Sequence, residues 1–238
     1  MTHNPDTCIL LTRPAAQAQA YADELGKACG DNFIIVQSPL LEIEILKVPL
    51  NLSGVHHLLF TSVNGVNAFA ENSDQRDIPT ICVGSRTAKA ATAIGLKAAQ
   101  AQGTANDMIA LAQELAQGLP GEFLYLRGRI AAQGVSSALN TAGYTTRETV
   151  IYSQNSQNLN QSAIKVLTNQ TRILVPLFSP RTAELFTAQT AGIHVQNAKI
   201  ICLSQNVADR LGDKFASEIT VVSKPTAAAV TREIAASL

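Results

Sequence analysis

Short apolar runs alternate along the chain with longer stretches whose apolar positions recur at helical spacing. The strand-like runs are CILL, FIIV, HLLF, TICV, FLYL, TVIY, RILVPLF, KIICL and ITVV. The helical patterns include AAQAQAYADELGKA, ANDMIALAQELA, PRTAELFTAQTA and NVADRLGDKF. Several of them stop at a glycine (Gly26, Gly95, Gly143), where a left-handed residue ends a helix. Continuous apolar strands separated by helices predict an α/β fold with parallel sheets covered on both faces.

Four short segments recur in the same order in the two halves of the chain. Leu11–Arg13 resembles Leu126–Gly128, Leu59–Ser62 resembles Leu177–Pro180, Ile81–Ser85 resembles Ile201–Gln205, and Gly103–Ala105 resembles Pro225–Ala227. The offset between the paired segments drifts slowly, from 115 (11 to 126) to 122 (104 to 226). A repeat this long predicts a duplicated domain, because the repeats of solenoid proteins are only ~20–50 residues long.

Composition and charge narrow the class of protein. Hydrophobic residues make up 46% of the chain and aromatic residues only 5%, so we expect an aliphatic core. No apolar run approaches the ~18 residues of a membrane helix, and the opening MTHNPDTCILLTRP lacks the pattern of a signal peptide. Lys and Arg balance Asp and Glu at 18 each, which gives no basic excess for nucleic acid. We therefore expect a cytoplasmic protein that binds neither membranes nor nucleic acid.

Metal and nucleophile motifs are missing from the sequence. It contains no GxGxxG after the first strand, no GxxxxGK[ST], no HExxH and no GxSxG. The His56-His57 pair has no third ligand at a suitable spacing, so we predict no metal site. The four cysteines are far apart and mostly inside apolar runs, as is typical of buried, reduced thiols.

Polar residues follow the strand-like runs at the points where helices begin. They are Thr12–Arg13, Thr61–Asn64, Gly84–Thr87, Arg127–Arg129, Ser179–Thr182 and Ser204–Asn206. Ligands of open parallel sheets bind at the carboxyl ends of the strands, and helix N-termini there attract anions. Any one of these turns is also typical of an ordinary helix cap. The whole set, with its arginines, favours a ligand with several negative groups in a cleft shared by two lobes.

The residues resemble the uroporphyrinogen-III synthase family over essentially the whole chain. The matching segments are Leu10–Pro14, Pro39–Ile43, Phe60–Val66, Val83–Gly84, Thr87–Ala88, Ile94–Gly95, Leu124–Gly128, Val150–Tyr152, Phe178–Pro180 and Lys224–Thr226. The resemblance implies two flavodoxin-like lobes built by a crossed-over duplication. Residues 1–38 would join 156–238 in one lobe, residues 41–152 would form the other, and extended linkers would lie near 39–40 and 153–155.

The resemblance also implies an activity. Members of the family take hydroxymethylbilane, a linear tetrapyrrole with eight carboxylates, expel its terminal hydroxyl, invert the last ring and close the macrocycle as uroporphyrinogen III. We therefore expect a cyclising lyase of haem biosynthesis that uses no cofactor. We also expect a monomer that makes at most a transient contact with the preceding enzyme of the pathway.

The family pattern assigns roles to particular residues. Tyr152 matches the tyrosine favoured as general acid, since a phenol can protonate a hydroxyl that leaves poorly as hydroxide. The expected substrate-binding residues are Arg13, Thr61, Ser62, Asn64, Gly84, Ser85, Thr87, Arg127, Ser179, Arg181, Ser204 and Lys224. One departure is Val207, which stands where many relatives have a threonine and cannot donate a hydroxyl hydrogen bond.

Two other classes of protein fit part of the pattern. A bilobed protein that binds a small anion without catalysis would share the polar strand ends, although the chain shows no signal peptide and no helix-turn-helix module. An enzyme of another class with a flavodoxin-like lobe would need a phosphate loop for its flavin, and the sequence has none.

Overall fold

The structure is a computed structural model that describes residues 7–30, 32–118, 121–130, 134–169, 172–195 and 197–238. Its strands are β1 Thr7–Leu11, β2 Ile34–Gln37, β3 Leu41–Ile45, β4 Val55–Phe60, β5 Thr80–Cys82, β6 Ala98–Gln100, β7 Glu122–Gly128, β8 Thr146–Ser156, β9 Arg172–Leu177, β10 Ala198–Cys202 and β11 Ile219–Val221. Its α-helices are α1 Ala15–Cys29, α2 Val63–Asn72, α3 Ser85–Ala93, α4 Ala105–Leu115, α5 Val135–Thr141, α6 Gln161–Asn169, α7 Pro180–Thr190, α8 Gln205–Ala208 and α9 Ala227–Ala236. A 3-10 helix covers Asp213–Glu218.

The chain divides into two compact units. Unit 1 contains Met1–Glu42 and Asn155–Leu238, and unit 2 contains Ile43–Gln154. The first strands of the chain therefore belong with its last third, because β1 pairs with β2 on one side and with β9 on the other. Residues 153–155, expected to be a linker, lie within the long strand β8.

The two sheets have the same strand arrangement. Unit 1 has the order β11-β10-β9-β1-β2, and unit 2 has β6-β5-β4-β7-β8 with β3 added at the edge beside β8. In the order of the repeated segments, β9, β10 and β11 correspond to β4, β5 and β6, and β1 and β2 correspond to β7 and β8. The predicted α/β fold with parallel sheets and an internal duplication is confirmed.

The chain path through the two sheets differs. Numbered along the chain within each unit, the five equivalent strands run 2-1-3-4-5 in unit 1, the flavodoxin order, and 3-2-1-4-5 in unit 2. The two sheets have their equivalent strands in the same spatial order. Only the chain order differs, because the two strands that come first in unit 1 are equivalent to the two that come last in unit 2. Strand β3 is the exception to the parallel pairing. The bonds from Leu46 N–H to Ile151 O and from Gln157 N–H to Leu40 O make it antiparallel to β8.

Both faces of each sheet are covered by helices, which explains the continuous apolar strands. In unit 1, helices α6, α7 and α8 pack on one face and α1 and α9 on the other. In unit 2, α2 and α3 pack on one face with Phe60, and α4 and α5 on the other with Leu59. Parallel strands all point the same way, so the turns that start these helices collect at one edge of each sheet. Among the residues that the structure describes, no helix combines the length and apolar character needed to cross a membrane.

Candidate functional site

A cavity of about 480 Å³ opens at the carboxyl ends of β4, β5 and β6 in unit 2. We call it the strand-end cavity, and it is lined by Thr61, Ser62, Val83, Gly84, Ser85, Arg86, Thr87, Gln100, Ala101, Gln102 and Gly103. These lining residues are polar or small, include no carboxylate, and carry charge only on Arg86. Such a lining suits an anionic ligand, because it offers hydrogen-bond donors and a positive charge without a repelling group.

Helix α3 begins at the wall of this cavity without a side-chain cap. Its N-cap is Gly84, in extended conformation, and among the described residues no side chain caps the amides of its first turn. Thr87 lies in that turn with 5% of its surface exposed, and Arg86 beside it is exposed. An uncapped helix N-terminus presents free N–H groups and the positive end of the helix dipole, so it favours a carboxylate.

The start of helix α2 forms the neighbouring wall and is capped. Ser62 is its N-cap, and the Ser62 Oγ accepts a hydrogen bond from the Gly65 N–H at 3.1 Å. The same Oγ lies 2.7 Å from the hydroxyl oxygen of Tyr152. Tyr152 is only 3% exposed, and burial raises its pKa above the ordinary value. The phenol is therefore protonated at neutral pH and available as a proton donor.

The position of Tyr152 depends on Gly128 at the end of β7. A Cβ atom at Gly128 would lie 2.6 Å from Tyr152 Cζ and 2.9 Å from the phenol oxygen. No real Cβ approaches another atom so closely, so only glycine leaves room for the ring. A local irregularity in the pairing of β7 with β8 places Gly128 opposite Tyr152.

A second buried tyrosine forms a matching hydroxyl pair. The Tyr125 hydroxyl lies 2.9 Å from Thr61 Oγ1, and burial raises the pKa of Tyr125. Two phenols therefore contact two consecutive hydroxyl residues at the start of α2. The sequence did not single out Tyr125, and its one signal is a hydroxyl inside the apolar run FLYL.

Arg127 already binds a carboxylate of its own unit. Its Nη2 donates to Glu148 Oε1 at 2.6 Å and its Nη1 to the Gly128 carbonyl at 3.0 Å. Ser136 also donates to Glu148, and the Arg127 guanidinium is the main cause that lowers the pKa of Glu148. The Arg127 side chain is 23% exposed, so part of it remains accessible. Asn64, the second residue of α2, is partly exposed and is not among the residues lining the cavity.

The expected site residues of unit 1 follow its strands in the same way. Arg13 comes two residues after β1, with its guanidinium carbon 4.1 Å from the Phe178 ring centre and its Nη2 3.2 Å from Gln17 Oε1. Ser179 is the N-cap of α7 and accepts from the Thr182 N–H at 3.2 Å.

The other three expected site residues of unit 1 are exposed or make few side-chain contacts. Arg181 is exposed and lies 3.6 Å from Glu184, and Lys224 is exposed in the turn before α9. Ser204 is the N-cap of the short helix α8 and makes no side-chain cap bond. Val207 is buried in the core of unit 1, so this position contributes packing to the core.

Within the described ranges, His, Cys, Asp and Glu form no group of three able to hold a metal ion. His57 is buried beside His56, with 2.8 Å between their Nδ1 atoms, and both rings pack on Phe123. This pair lies at the start of β4, at the sheet edge opposite the strand-end cavity. It therefore belongs to the core of unit 2 and not to the site.

Comparison with known proteins identifies what the chain is similar to. The model of the uroporphyrinogen-III synthase (HemD) family matches residues 21–232. The solved uroporphyrinogen-III synthetase of Helicobacter pylori 26695 is 18% identical, with a TM-score of 0.67 over 97% of this chain and 98% of that one. A mutant uroporphyrinogen III synthase of Thermus thermophilus is 14% identical, with a TM-score of 0.50 over 96% and 97%. Comparison with curated protein sequences gives no match.

Proposed function

Because this chain belongs to the uroporphyrinogen-III synthase family, we propose that it is a cyclising lyase that converts hydroxymethylbilane into uroporphyrinogen III. The last pyrrole ring is inverted and one molecule of water leaves. The enzyme works without a cofactor, as a cytoplasmic monomer, and meets the preceding enzyme of its pathway only transiently.

The observation that carries this proposal is the pairing of an anion-binding wall with a proton donor in unit 2. The substrate needs both, because it has many carboxylates and a hydroxyl that leaves poorly as hydroxide. The uncapped start of α3, with Arg86 and Thr87, is suited to a carboxylate. The Tyr152–Ser62 pair is suited to protonating the hydroxyl.

Tyr152 acts as the source of the proton in the first step. As the carbon–oxygen bond of the hydroxymethyl group breaks, the proton goes to the leaving oxygen and water departs. The adjoining pyrrole nitrogen stabilises the cation that remains. The enzyme then holds the chain so that the inverted ring closes, and orientation of reacting groups is itself worth up to ~7–11 kcal/mol.

Carboxylates are held by the polar strand ends. In unit 2 the proposed binding residues are Thr61, Ser62, Asn64, Gly84, Ser85, Thr87 and Arg127. In unit 1 they are Arg13, Ser179, Arg181, Ser204 and Lys224. Backbone amides bind alongside these side chains, so the loss of one side chain has a modest effect.

A binding protein for small anions is the alternative. It would use the strand-end cavity, but it would not need a buried phenol that is hydrogen-bonded to a cavity hydroxyl. Family membership and the Tyr152–Ser62 pair both favour the enzyme.

The test supplies the purified protein with freshly prepared hydroxymethylbilane and separates the type I and type III products. We expect type III to form faster than the spontaneous closure to type I. Type I alone, at the rate seen without protein, would exclude the proposed activity.

A further inference from the structure

Ser62 lies between Tyr152 and the strand-end cavity. Ser62 lines the cavity, whereas Tyr152 is not among its lining residues and is 3% exposed. The two hydroxyl oxygens are 2.7 Å apart. A ligand in this cavity therefore meets Ser62 before it meets Tyr152.

The hydrogen bonds on the Ser62 oxygen allow its proton to point into the cavity. A serine hydroxyl has two lone pairs and one proton. The Gly65 N–H occupies one lone pair. Either hydroxyl of the Ser62–Tyr152 pair can donate, and when Tyr152 donates, its proton occupies the other lone pair. The proton of Ser62 itself is then left for the cavity side.

The bonds on the Tyr152 oxygen favour the loss of its proton. Hydrogen bonds with the Ser62 and Gln154 side chains and with the Gly128 backbone lower the pKa of Tyr152, against the larger raising effect of burial. A bond that lowers the pKa of a phenol stabilises its phenolate. The phenolate left when the proton passes to Ser62 therefore keeps its bonds with Gln154 and Gly128.

We propose that Ser62 hands the proton to the leaving hydroxyl and that Tyr152 acts through it. This inference rests on the proposed function. The Ser62 proton moves to the hydroxyl oxygen of hydroxymethylbilane while the carbon–oxygen electron pair leaves with that oxygen as water. The Tyr152 proton moves to Ser62 Oγ in the same step, leaving a phenolate and a cationic substrate. The proton released when the closed ring regains its aromatic system returns through Ser62 to Tyr152.

The kinetic test is a double-mutant cycle on the two partners. Ser62→Gly removes the hydroxyl but costs the α2 cap only a few tenths of a kcal/mol. We expect Ser62→Gly and Tyr152→Phe each to lower kcat for type III formation about 100-fold, near the low end for general acids, with little change in KM. The double variant falls no further than the worse single variant, because two links of one chain are removed. Ser62→Thr restores most of kcat, because it keeps the hydroxyl.

A matched pair in unit 1 serves as the control. The Tyr21 hydroxyl lies 3.1 Å from Thr231 Oγ1, and Tyr21 is as buried as Tyr152. Tyr21→Phe removes a buried phenol of the same kind but keeps the ring that packs beside Arg13, and its hydroxyl partner Thr231 is not among the proposed binding residues, so kcat should stay within about twofold. Losses that multiply in the Ser62/Tyr152 double variant would overturn the relay. So would a Ser62→Gly enzyme that keeps a normal kcat while Tyr152→Phe loses it.

A titration tests the relay without any substrate. The ultraviolet difference between wild type and Tyr152→Phe reports the ionisation of Tyr152 alone. In the Ser62→Gly background we expect its pKa to move up by about one unit, the effect of one hydrogen bond to the phenolate. Ser179→Gly, the same change at the N-cap of α7, leaves it in place. An unmoved pKa in Ser62→Gly overturns the relay, whereas absence of type III product from wild type overturns the proposed function.

Discussion

At the scale of single residues, Gly128 holds the most constrained position of the site. Gly128→Ala would press a methyl group into the Tyr152 ring at 2.6 Å. We expect a loss of about 1–3 kcal/mol in the free energy of unfolding, as for other overpacked sites, together with a lower kcat because the phenol shifts away from Ser62. Gly26→Ala is the control, since a Cβ there meets open space inside helix α1. Chemical denaturation of both variants measures the difference, and equal stabilities would show that the ring adapts freely.

Two arginines with similar partners allow a test of the carboxylate site. Arg127 pairs with Glu148 near the carboxyl end of β7, and Arg147 pairs with Glu122 where β7 and β8 begin. We expect Arg127→Ala to raise KM about fivefold, the equivalent of ~1 kcal/mol for a partly solvated charge-assisted bond. Arg13→Ala and Arg181→Ala should behave in the same way, and added salt should raise the wild-type KM.

Arg147→Ala provides the matched loss of an ion pair at the opposite edge of the sheet. Its KM should stay at the wild-type value. Steady-state kinetics on the four variants, with thermal melts to check folding, separates binding from stability. If Arg127→Ala and Arg147→Ala change KM equally, Arg127 holds only Glu148.

Residue-level reasoning on the sequence predicted part of the lining of the strand-end cavity. Thr61, Ser62, Gly84, Ser85 and Thr87 were all expected from the strand-end pattern, and all line one cavity. Gln100, Gln102 and Gly103 were missed because they end or follow β6, whose three residues Ala98–Gln100 have no apolar β-branched pattern. Tyr125 was missed because a hydroxyl inside an apolar run does not reveal which face it lies on.

At the scale of elements, β4 begins with a buried histidine whose charge state depends on folding. Burial, with a smaller contribution from the neighbouring His56, lowers the pKa of His57 to about 4. The unfolded chain binds this proton near pH 6.5, whereas the folded chain binds it only near pH 4. The contribution of neutral His57 to the free energy of unfolding is therefore at its full value above pH 6.5. It is lost as the pH falls from 6.5 towards 4.

The test compares the pH dependence of unfolding in wild type and His57→Gln. Between pH 6.5 and 4 we expect the wild type to lose up to about 3 kcal/mol more than the variant. Glutamine stays neutral throughout, and carboxylates titrate in both proteins, so their contribution cancels. Parallel curves for the two proteins would contradict a neutral, buried His57.

Helices and strands were predicted correctly where the apolar pattern was long. The prediction failed where contacts with the rest of the fold determined the secondary structure. The segment NVADRLGDKF was expected to be one helix, but it contains the short α8, a turn and the start of a 3-10 helix, Asp213–Glu218. Gly212 inside it disfavours a continuous helix. Strand β3 was missed although LEIEI alternates as a half-buried strand does, because the segment was assigned to the family pattern beside a linker.

At the scale of the whole molecule, the sequence itself showed the duplication. It did not show in which sheet each strand lies. Slowly drifting offsets between repeated segments predict two similar sheets, and the sheets have the same arrangement. Nothing in residues 7–37 alone indicates that β1 pairs with β9, because strand pairing over about 160 residues leaves no local pattern. The family resemblance supplied that expectation.

Unit 2 should fold as an independent domain. It has hydrophobic clusters on both faces of its sheet, and its chain enters and leaves through the neighbouring strands β3 and β8. We expect residues 43–154 expressed alone to unfold cooperatively on heating, with the near-ultraviolet circular dichroism of packed tyrosines. A broad, non-cooperative transition would show that its core depends on unit 1.

The central claim is that the substrate binds in the strand-end cavity of unit 2, and Gly84→Val tests it most directly. A Cβ at Gly84 already lies 3.5 Å from Gly103 Cα, so valine crowds the wall formed by the first-turn amides of α3. Gly26→Val places the same side chain in open space.

The measurement is kcat/KM for type III formation by the two folded variants and wild type. We predict a loss of at least about tenfold for Gly84→Val, as expected for blocked charge-assisted bonds, and near-normal values for Gly26→Val. Equal values for all three proteins would place the substrate elsewhere.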